Sequence, residues 1–222
     1  MKYILPIIIT FLLGVSAPLF AQNALDFDGT NDYVQTGITS LTGTANRTIE
    51  AWIKTGGTVS SQKVLVDMGT MPLGTRFTLN VLNSKLRIEI GGGGLNSVTN
   101  IDDGAWHHIA VTYSSTASNK FTLYIDGAVD AIGNITGASV NTAVGTGLMI
   151  GRRNDGVNYF DGQIDEVRVW NTTRTAAQIQ ANYNTEICVT NDLVAYYKLN
   201  QGTANGMNTS VTTATDATSN GN

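Results

Sequence analysis

The chain has 222 residues, of which 14% are charged, and its formal net charge is −4 with an isoelectric point near 5.0. This acidic balance, with no cluster of lysine and arginine, argues against nucleic-acid binding, because proteins that bind nucleic acids neutralise phosphates with grouped cations. The single cysteine, Cys188, excludes an internal disulfide and is either buried or free to pair with another chain. Its apolar neighbours in "EICVT" favour the buried position. The domain must therefore be stabilised by its core, alone or together with a metal ion.

Residues 1–21 have the pattern of a secretory signal peptide. Lys2 precedes the apolar run "YILPIIITFLLGVSAPLF", and Ala21 supplies a small residue at the end. A membrane anchor is the alternative, because the run approaches the length that spans a bilayer. The polar sequence "QNALDFDGTND" follows at once without a basic flank, which favours the signal peptide. We therefore expect a secreted or cell-surface protein with no membrane span after signal removal.

The remaining chain is dominated by short predicted strands, in the order of the sequence. Segments 24–27 and 32–36 flank "DGTN", whose Asp, Gly and Asn residues are typical of turns. Segment 47–55 alternates with a period of two, which indicates a full strand. It places Ile49, Ala51 and Ile53 on one side and Thr48, Glu50 and Trp52 on the other.

The middle of the chain continues this pattern. A strand at 63–69 is followed by two strictly alternating segments, 75–83 and 84–90, which predict a β-hairpin around "LNSK". Their apolar positions are Phe77, Leu79 and Val81, then Leu86, Ile88 and Ile90. The run "GGGG" at 91–94 predicts a flexible break.

The second half adds strands at 107–114, 120–130, 147–153, 159–171 and 193–200, the second of them carrying an Asp-Gly hairpin signal. One short surface helix is predicted near 175–183, with Thr175 as its N-cap. Many short strands separated by Gly, Asn and Asp turns, with a single late helix, predict an all-β fold of two packed antiparallel sheets.

Four motifs in order carry a family resemblance: "ALDFDGTNDYVQTG", "RTIEAWIKT", "DGAWHHIAVTYSS" with "FTLYIDGAVD", and "MIGRRNDGVNYFDGQIDEVRVWNTTRTAAQIQANY". Together they resemble LamG-like jelly-roll domains of the concanavalin A-like lectin/glucanase superfamily, whose relatives include laminin G and pentraxin domains. The resemblance implies a two-sheet antiparallel jelly-roll sandwich at residues 22–186. It does not specify a ligand, because one fold supports many functions.

Residues 187–222 contain a predicted strand and a segment rich in Gly, Asn and Thr. The stretch from "LVAYYKLN" to "DATSNGN" resembles the lead-in to a further module of the same kind. Two interpretations stay open: the sequence is part of a longer surface protein, or this segment packs on the domain itself.

Asp165 and Glu166 are the one adjacent carboxylate pair within a predicted strand of the main domain. A sandwich glycoside hydrolase needs two carboxylates on one strand face to flank the scissile bond. Neighbours in a regular strand point to opposite faces, so the pair does not fit that chemistry. The alternation places Asp165 with Val167 and leaves Glu166 and Arg168 on a solvated face. We therefore expect a domain without catalytic activity, with a diverged glycoside hydrolase as the alternative.

A structural calcium ion is the predicted cofactor. Calcium takes six to eight oxygen ligands, and the turn "DFDGTND" is rich in such oxygens. The resemblance implies a ligand set of Asp28, the Gly29 carbonyl, Asn31 and the late Asp165. The alternative is that the carboxylates of this turn cap backbone amide groups.

The loop "GRRNDGVNYF" at 151–160 is the predicted ligand-binding segment. Arg152, Asn154, Asp155 and Tyr159 combine an aromatic face with planar polar groups, as sugar sites do. The alternative is a solvated loop whose arginines pair with nearby acids. The sequence as a whole predicts a non-catalytic binding or adhesion module for carbohydrate or an extracellular surface protein, within a larger multidomain protein. A structural spacer domain is the remaining alternative.

Overall fold

The computed structural model describes residues 24–137, 139–145, 147–201 and 211–222. The predicted signal peptide at 1–21 lies outside the described residues. Among the residues that are described, no helix is long and apolar enough to cross a membrane.

One antiparallel sheet has seven strands. They are β1 (Leu25–Asp28), β3 (Arg47–Thr55), β8 (His107–Tyr113), β9 (Phe121–Ile125), β10 (Ala128–Gly133), β12 (Asp161–Trp170) and β13 (Leu193–Tyr197). Their spatial order is β1, β12, β3, β8, β9, β10, and β13 also pairs with β12. We call this the seven-stranded sheet.

The second antiparallel sheet has six strands. They are β2 (Val34–Gln35), β4 (Lys63–Gly69), β5 (Arg76–Leu82), β6 (Lys85–Glu89), β7 (Gly94–Asn100) and β11 (Met149–Ile150). Their spatial order is β2, β11, β4, β5, β6, β7. We call this the six-stranded sheet.

The main hydrophobic core lies between the two sheets. Ile49 and Ile53 of β3 meet Leu79 and Val81 of β5 in this cluster, and none of the four is exposed. Burial of one such side chain contributes roughly 1.5–3 kcal/mol. The predicted all-β jelly-roll sandwich is confirmed.

The β5–β6 hairpin forms as the alternation predicts. The two-residue turn uses Asn83 and Ser84, with φ angles of 50° and 67°, which are the values that a type I′ turn requires. Asp126 and Gly127 form the corresponding turn between β9 and β10, at φ 50° and 78°. The predicted Asp-Gly hairpin is therefore confirmed.

The tetraglycine segment is more ordered than predicted. Gly91 and Gly92 have φ angles of 72° and 86°, a region that favours glycine, and they turn the chain back. Gly94 is the first residue of β7 and pairs with Glu89 of β6. The prediction of a flexible break at 91–94 is therefore wrong for Gly94, which belongs to a strand. The sequence analysis did not predict β7, because its sequence "GLNSVTN" has few apolar residues and no alternation.

Strand β12 joins both ends of the described chain. On the side away from β3, β1 pairs with the first half of β12, from Leu25 opposite Ile164 to Asp28 opposite Asp161. Strand β13 pairs with the second half, beginning with Tyr197 opposite Val167. The N-terminal and C-terminal strands thus lie one after the other along the same strand.

The helix α1 (Ala176–Asn182) forms where it is predicted, with Thr175 as N-cap in a capping box with Gln178. Its buried residue, Ile179, packs on Ala110 and Tyr124, on the outer side of the seven-stranded sheet. Cys188 follows the helix and is exposed. The prediction that it is buried is wrong, because the segment around it lies on the surface.

Residues 211–222 pack along β13. The Ala217 amide donates to the Tyr196 carbonyl at 2.8 Å, and the Tyr196 amide donates to the Asp216 carboxylate at 2.9 Å. Asn220 adds a hydrogen bond to the Val194 carbonyl at 2.8 Å. This described part of the tail lies on the domain itself, and a further module beyond it stays a prediction.

Candidate functional site

The outer side of the six-stranded sheet carries a group of polar side chains. Most of them occupy the positions between the apolar residues of the β5–β6 hairpin, and one comes from β4. The members on the strands, which we call the polar face, are Asp67 on β4, Arg76, Thr78 and Asn80 on β5, and Arg87 and Glu89 on β6. Register places Asn80 opposite Arg87 and Thr78 opposite Glu89. These six residues were not among the predicted site residues, although the alternation that predicted the core also marks their positions.

Asp67 lies in the floor of the polar face and is not exposed. One carboxylate oxygen accepts a hydrogen bond from the Thr78 hydroxyl, and the other accepts one from the Asn154 amide at 2.8 Å. Burial raises the pKa of Asp67 to about 6, although these hydrogen bonds and the charge of Arg76 act in the opposite direction. The side chain is thus ionised at neutral pH and ties the 151–160 loop to the sheet.

Asn80 has no hydrogen-bond partner for either polar atom of its side chain among the described residues, although the residue is fully buried. The Nε atoms of Arg76 and Arg87, on the same face, are also buried without a partner. Leaving a buried polar group unsatisfied costs about 1–3 kcal/mol, so each such group in a native fold requires an explanation, of which a bound molecule is one. The polar face therefore presents hydrogen-bonding capacity that the described chain does not use.

Glu89 organises the charges of the polar face. Its carboxylate accepts a hydrogen bond from Arg76 at 2.5 Å and from Gln62 at 3.0 Å, and the Arg87 Nε atom lies 3.6 Å away. The side chains of Arg87 and Glu89 are 19% and 16% exposed. A ligand can therefore reach this layer from solvent, whereas Asp67 and Asn80 lie beneath it.

The 151–160 loop borders the polar face at the β4 side. Asn154 donates its side-chain amide to the Gly69 carbonyl at 2.8 Å, and Asn158 donates to Gln62 at 2.6 Å. Arg153 donates two hydrogen bonds to the Asp155 carboxylate, at 2.8 and 2.7 Å. The hydrogen bond from Arg153 is the largest influence on the pKa of Asp155 and holds it below its usual range.

The structure divides the four predicted ligand-binding residues into two groups. Asn154 and Asp155 lie beside the polar face through the contacts just described. Arg152 turns away, and its guanidinium lies 3.6 Å from the centre of the Tyr33 ring and 3.5 Å from the Tyr159 hydroxyl. Arg152 and Tyr159 thus form a second group with the exposed Tyr33, and a ligand role for all four stays a prediction.

The predicted calcium ligands do not converge. One oxygen of the Asp28 carboxylate accepts hydrogen bonds from the Thr30 and Asn31 amides at 2.8 and 3.4 Å, as the turn-capping alternative expects. Asp161 lies opposite Asp28, and Asp165 is four residues further along β12, about 13 Å away at strand rise. Within the described residues, no group of three or more His, Cys, Asp or Glu side chains could hold a metal ion. The set with Asp165 as a member therefore does not fit the structure.

Asp165 and Glu166 lie at an irregularity of β12. Asp165 pairs with Trp52 and Arg168 with Glu50, so three steps on β12 match two on β3, which is a β-bulge. Glu166 takes the extra position with a φ of 52°. The alternation prediction fails here, because Val167 faces the core whereas Asp165, Glu166 and Arg168 all lie on the outer side.

The expected solvated face at Glu166 and Arg168 is buried instead, at 2% and 1% exposure. Arg168 donates to Glu166 at 2.7 Å, to the Asn182 carbonyl at 3.0 Å and to the Thr185 carbonyl at 2.7 Å. The Tyr196 hydroxyl also donates to Glu166. This arrangement places a cation at the C-terminal end of α1, where free carbonyl groups favour one.

A second buried carboxylate, Glu50, completes this cluster. It accepts hydrogen bonds from Trp170 at 2.6 Å and Arg174 at 3.0 Å, and His108 lies 3.2 Å away. Burial raises the pKa of Glu50, but the hydrogen bond and charge of His108 and the charges of Arg168 and Arg174 outweigh it and hold the pKa below its usual range. Glu50 and Glu166 thus hold Arg174 and Arg168, which donate to the α1 carbonyls of Gln178 and Asn182.

Comparison with known proteins places this geometry in a family. The family model Laminin_G_3, described as the concanavalin A-like lectin/glucanases superfamily, matches residues 28–180. The rat protein "Sushi, von Willebrand factor type A, EGF and pentraxin domain-containing protein 1" is 34% identical over 100 residues, which is 40% of this chain. The match spans 3% of that much longer protein.

Two solved structures show the same fold. A putative carbohydrate binding protein from Bacteroides ovatus is similar at a TM-score of 0.66 and 24% identity, over 81% of this chain and 52% of that one. The CBM40 domain of Ruminococcus gnavus IT-sialidase, bound to α2,3 sialyllactose, is similar at a TM-score of 0.58 and 15% identity. That match covers 72% of this chain and 95% of the domain.

Proposed function

The chain belongs to the Laminin_G_3 family of the concanavalin A-like lectin/glucanases superfamily, and we propose that it is a non-catalytic carbohydrate-binding module that binds its ligand at the polar face. The observation that carries the proposal is Asn80, a fully buried amide whose oxygen and nitrogen both lack a partner among the described residues. The two solved carbohydrate-binding neighbours support it at the level of the fold.

Carbohydrate chemistry matches what the polar face leaves unsatisfied. A sugar hydroxyl donates and accepts hydrogen bonds at once, and an asparagine amide offers two donors and an acceptor. A hydroxyl that accepts from Nδ2 and donates to Oδ1 satisfies both atoms of Asn80. Arg87 and Gln62 lie in the partly exposed layer, and we propose that they shift to admit the hydroxyl.

Tyr33, just before β2, and Tyr159 of the 151–160 loop offer the aromatic contact that sugar sites commonly include. Tyr33 is 45% exposed and is held by the Arg152 guanidinium on one side. Tyr159 lies next to it through the same arginine. We propose that Asn154 and Asp155 contact the sugar on the sheet side and that Arg152 and Tyr159 border the site at its end.

The carboxylates support a binding role over hydrolysis. Asp67 and Glu89 come from different strands and share Arg76, so the structure brings together a pair that the search along single strands missed. A glycosidase needs one carboxyl group that can donate a proton and one free to act as base or nucleophile. Asp67 is fully buried and both of its carboxylate oxygens accept hydrogen bonds, and the Glu89 carboxylate is paired with Arg76 and lies 3.6 Å from Arg87.

A near-isosteric substitution at Asn80 tests the proposal. Asn80→Leu removes the unsatisfied amide without opening a cavity, and such replacements are close to neutral or stabilising. We expect glycan binding on an oligosaccharide array, followed by calorimetry, to be lost in Asn80→Leu while the melting temperature stays equal or rises. Thr122→Val, on the outer side of the seven-stranded sheet, is the matched control and keeps binding.

Two outcomes contradict the proposal. Binding that survives in Asn80→Leu removes the polar face as the site. Failure of the wild-type chain to bind any member of a broad glycan array favours a spacer domain or a protein-binding module. Release of reducing sugar from a bound oligosaccharide replaces the binding module with a hydrolase.

We also propose that the protein works outside the cell, secreted or at its surface, as part of a larger assembly of domains. The signal-peptide pattern at 1–21 and the module-like sequence of the tail support this proposal. Fractionation of the native host, with detection of the chain in the medium or on the surface after cleavage near Ala21, tests it. Recovery of the uncleaved chain inside the cell contradicts it.

A further inference from the structure

Every guanidinium near Asn80 on the polar face already has a carboxylate partner. Arg76 is 2.5 Å from Glu89 and 3.9 Å from Asp67, and Arg87 is 3.6 Å from Glu89. At the border of the face, Arg153 is 2.7 Å from Asp155. Three cations thus face three anions, and the region has no net charge when all are ionised.

The ion pairs occupy the groups that an acidic ligand needs. A carboxylate is recognised best by an arginine that can offer two parallel N–H groups. The Nη2 atom of Arg76 is engaged by Glu89, and two nitrogens of Arg153 are engaged by Asp155. An acidic sugar at Arg76 or Arg153 therefore has to displace an existing carboxylate. At Arg87, whose Nη1 atom donates to Asn96 at 2.9 Å, it meets the Glu89 carboxylate 3.6 Å from the Nε atom, and like charges placed together disfavour binding.

One further cation, Lys85, lies on β6 at the end away from Glu89. It precedes Arg87 by two positions, and its ammonium group donates to the Val98 carbonyl. Lys85 pairs with Asn100 of β7 and therefore lies on the side of the sheet away from the 151–160 loop. The groups around Asn80 that remain without a partner are neutral amide atoms and single arginine N–H groups.

We infer that the polar face selects uncharged, hydroxyl-rich glycans and discriminates against glycans that carry a carboxylate. This inference rests on the proposed function and names the ligand class of the same site. It separates this chain from the structurally similar CBM40 domain, which is bound to the acidic trisaccharide sialyllactose. The shared fold does not transfer that ligand, because the charge arrangement belongs to the side chains of this chain.

Ligand pairs that differ by one acidic sugar test the inference on the purified full chain. Suitable pairs are lactose with sialyllactose, and xylo-oligosaccharides with and without a glucuronic acid branch. We expect the neutral member of the bound series to bind at least about tenfold more tightly than its acidic partner, a difference that corresponds to about 1.4 kcal/mol. Raising the salt concentration should leave the neutral affinity nearly unchanged, because screening acts on charged partners.

Glu89→Gln gives a gain-of-function test. The substitution keeps the shape of the side chain and leaves Arg87 without a carboxylate and Arg76 with the more distant one on Asp67. We expect acidic glycans to gain at least about tenfold in affinity, as a freed charge-assisted hydrogen bond allows. Glu186→Gln is the matched control, because it removes one carboxylate from the exposed ion pair with Lys198 elsewhere on the surface.

The outcomes separate the two proposals. Stronger binding of the acidic partner by the wild-type chain overturns the inference and leaves the carbohydrate-binding function intact. An unchanged preference in Glu89→Gln also overturns it, because the ion pairs then do not control selectivity. If the wild-type chain binds no member of any pair or of the broader array, the proposed function fails and the inference fails with it.

Discussion

Asp165 and Glu166 are neighbours on β12, yet both residues lie on the same outer side of the seven-stranded sheet, and both are buried. The bulge at Glu166 brings this about by inserting one residue against β3. Glu166 is neutralised by Arg168 at 2.7 Å. One oxygen of Asp165 accepts the Glu166 amide at 2.9 Å, and the other has no partner among the described residues.

Asp165 should make the protein less stable as the pH rises. Burial, followed by the charge of Glu166, raises its pKa from 3.8 to about 8, so the folded state holds this proton more tightly than the unfolded state. The stabilisation that this group contributes to the folded state is fully present below about pH 4. As the pH rises from there towards 8, the unfolding free energy falls by about 1.4 kcal/mol per pH unit. Asp165→Asn should remove this slope, and we expect the variant to exceed the wild type in unfolding free energy at pH 8.

Urea unfolding of both proteins at pH 5 and pH 7 measures the effect. The gap between variant and wild type should widen by on the order of 2–3 kcal/mol over this interval. Because Asp67 titrates in both proteins, its contribution cancels in the comparison. A gap that does not change with pH shows that Asp165 is ionised in the folded state.

Arg168 should be among the most important single residues for stability outside the main core. Arg168→Ala leaves Glu166 without its cation and frees the carbonyls of Asn182 and Thr185. Breaking a buried pair in this way costs about 3–5 kcal/mol. Chemical denaturation should show this loss, whereas Arg153→Ala, which breaks the exposed pair with Asp155, should cost about 0–1 kcal/mol. Equal losses in the two variants contradict this account of α1.

Arg47 should not tolerate lysine. It is fully buried among the rings of Phe77 and Tyr113, and it donates to the carbonyls of Leu41, Gly43 and Ala45 and to the Thr142 hydroxyl. Lysine keeps the charge but lacks the planar set of five donors. We expect Arg47→Lys to lower the unfolding free energy by about 2–4 kcal/mol, measured by urea denaturation. A loss below about 1 kcal/mol would show that the charge alone is sufficient.

Calcium binding stays a prediction, and the structure changes which substitution tests it. A bound ion raises the melting temperature by mass action, so adding a chelator should lower it. Asp28→Ala, in the predicted turn, should remove this effect, and Asp165→Ala should retain it, because Asp165 lies four residues along β12 from Asp161, the residue opposite Asp28. A melting curve that a chelator does not change removes the calcium prediction.

Much of the fold follows from patterns that are local in sequence. The alternation of β5 and β6 predicts which side faces the core, and it equally marks Arg76, Thr78, Asn80, Arg87 and Glu89 as the opposite side. Recognising that side as a site requires knowing that the 151–160 loop and Gln62 reach over it. That knowledge depends on contacts such as Asn154 with Asp67, which are separated by 87 positions in sequence.

Local patterns fail where the backbone departs from regular geometry. Asp165 was predicted to share a face with Val167 because alternation is regular in an ordinary strand, and one inserted residue places it on the opposite side. Glu166 and Arg168 were predicted to be solvated, but contacts with Tyr196, Asn182 and Thr185 bury them. Strand β7 was missed because it forms by pairing with β6 and lacks apolar alternation of its own. Asp165 was placed beside the Asp28 turn, but register assigns that position to Asp161.

The sequence by itself determined the class of the fold, the core-facing residues of the central strands, the helix at 176–182 and the membership of the family. These features follow from periodicity, turn chemistry and motif order, all of which are written in short stretches of chain. The tertiary structure alone decided which polar side chains meet. Only the packing of two sheets, one bulge and one loop places Asn80 opposite Arg87, pairs each arginine of the polar face with an acid, and buries Asp165 and Glu166 on the outer side of the seven-stranded sheet.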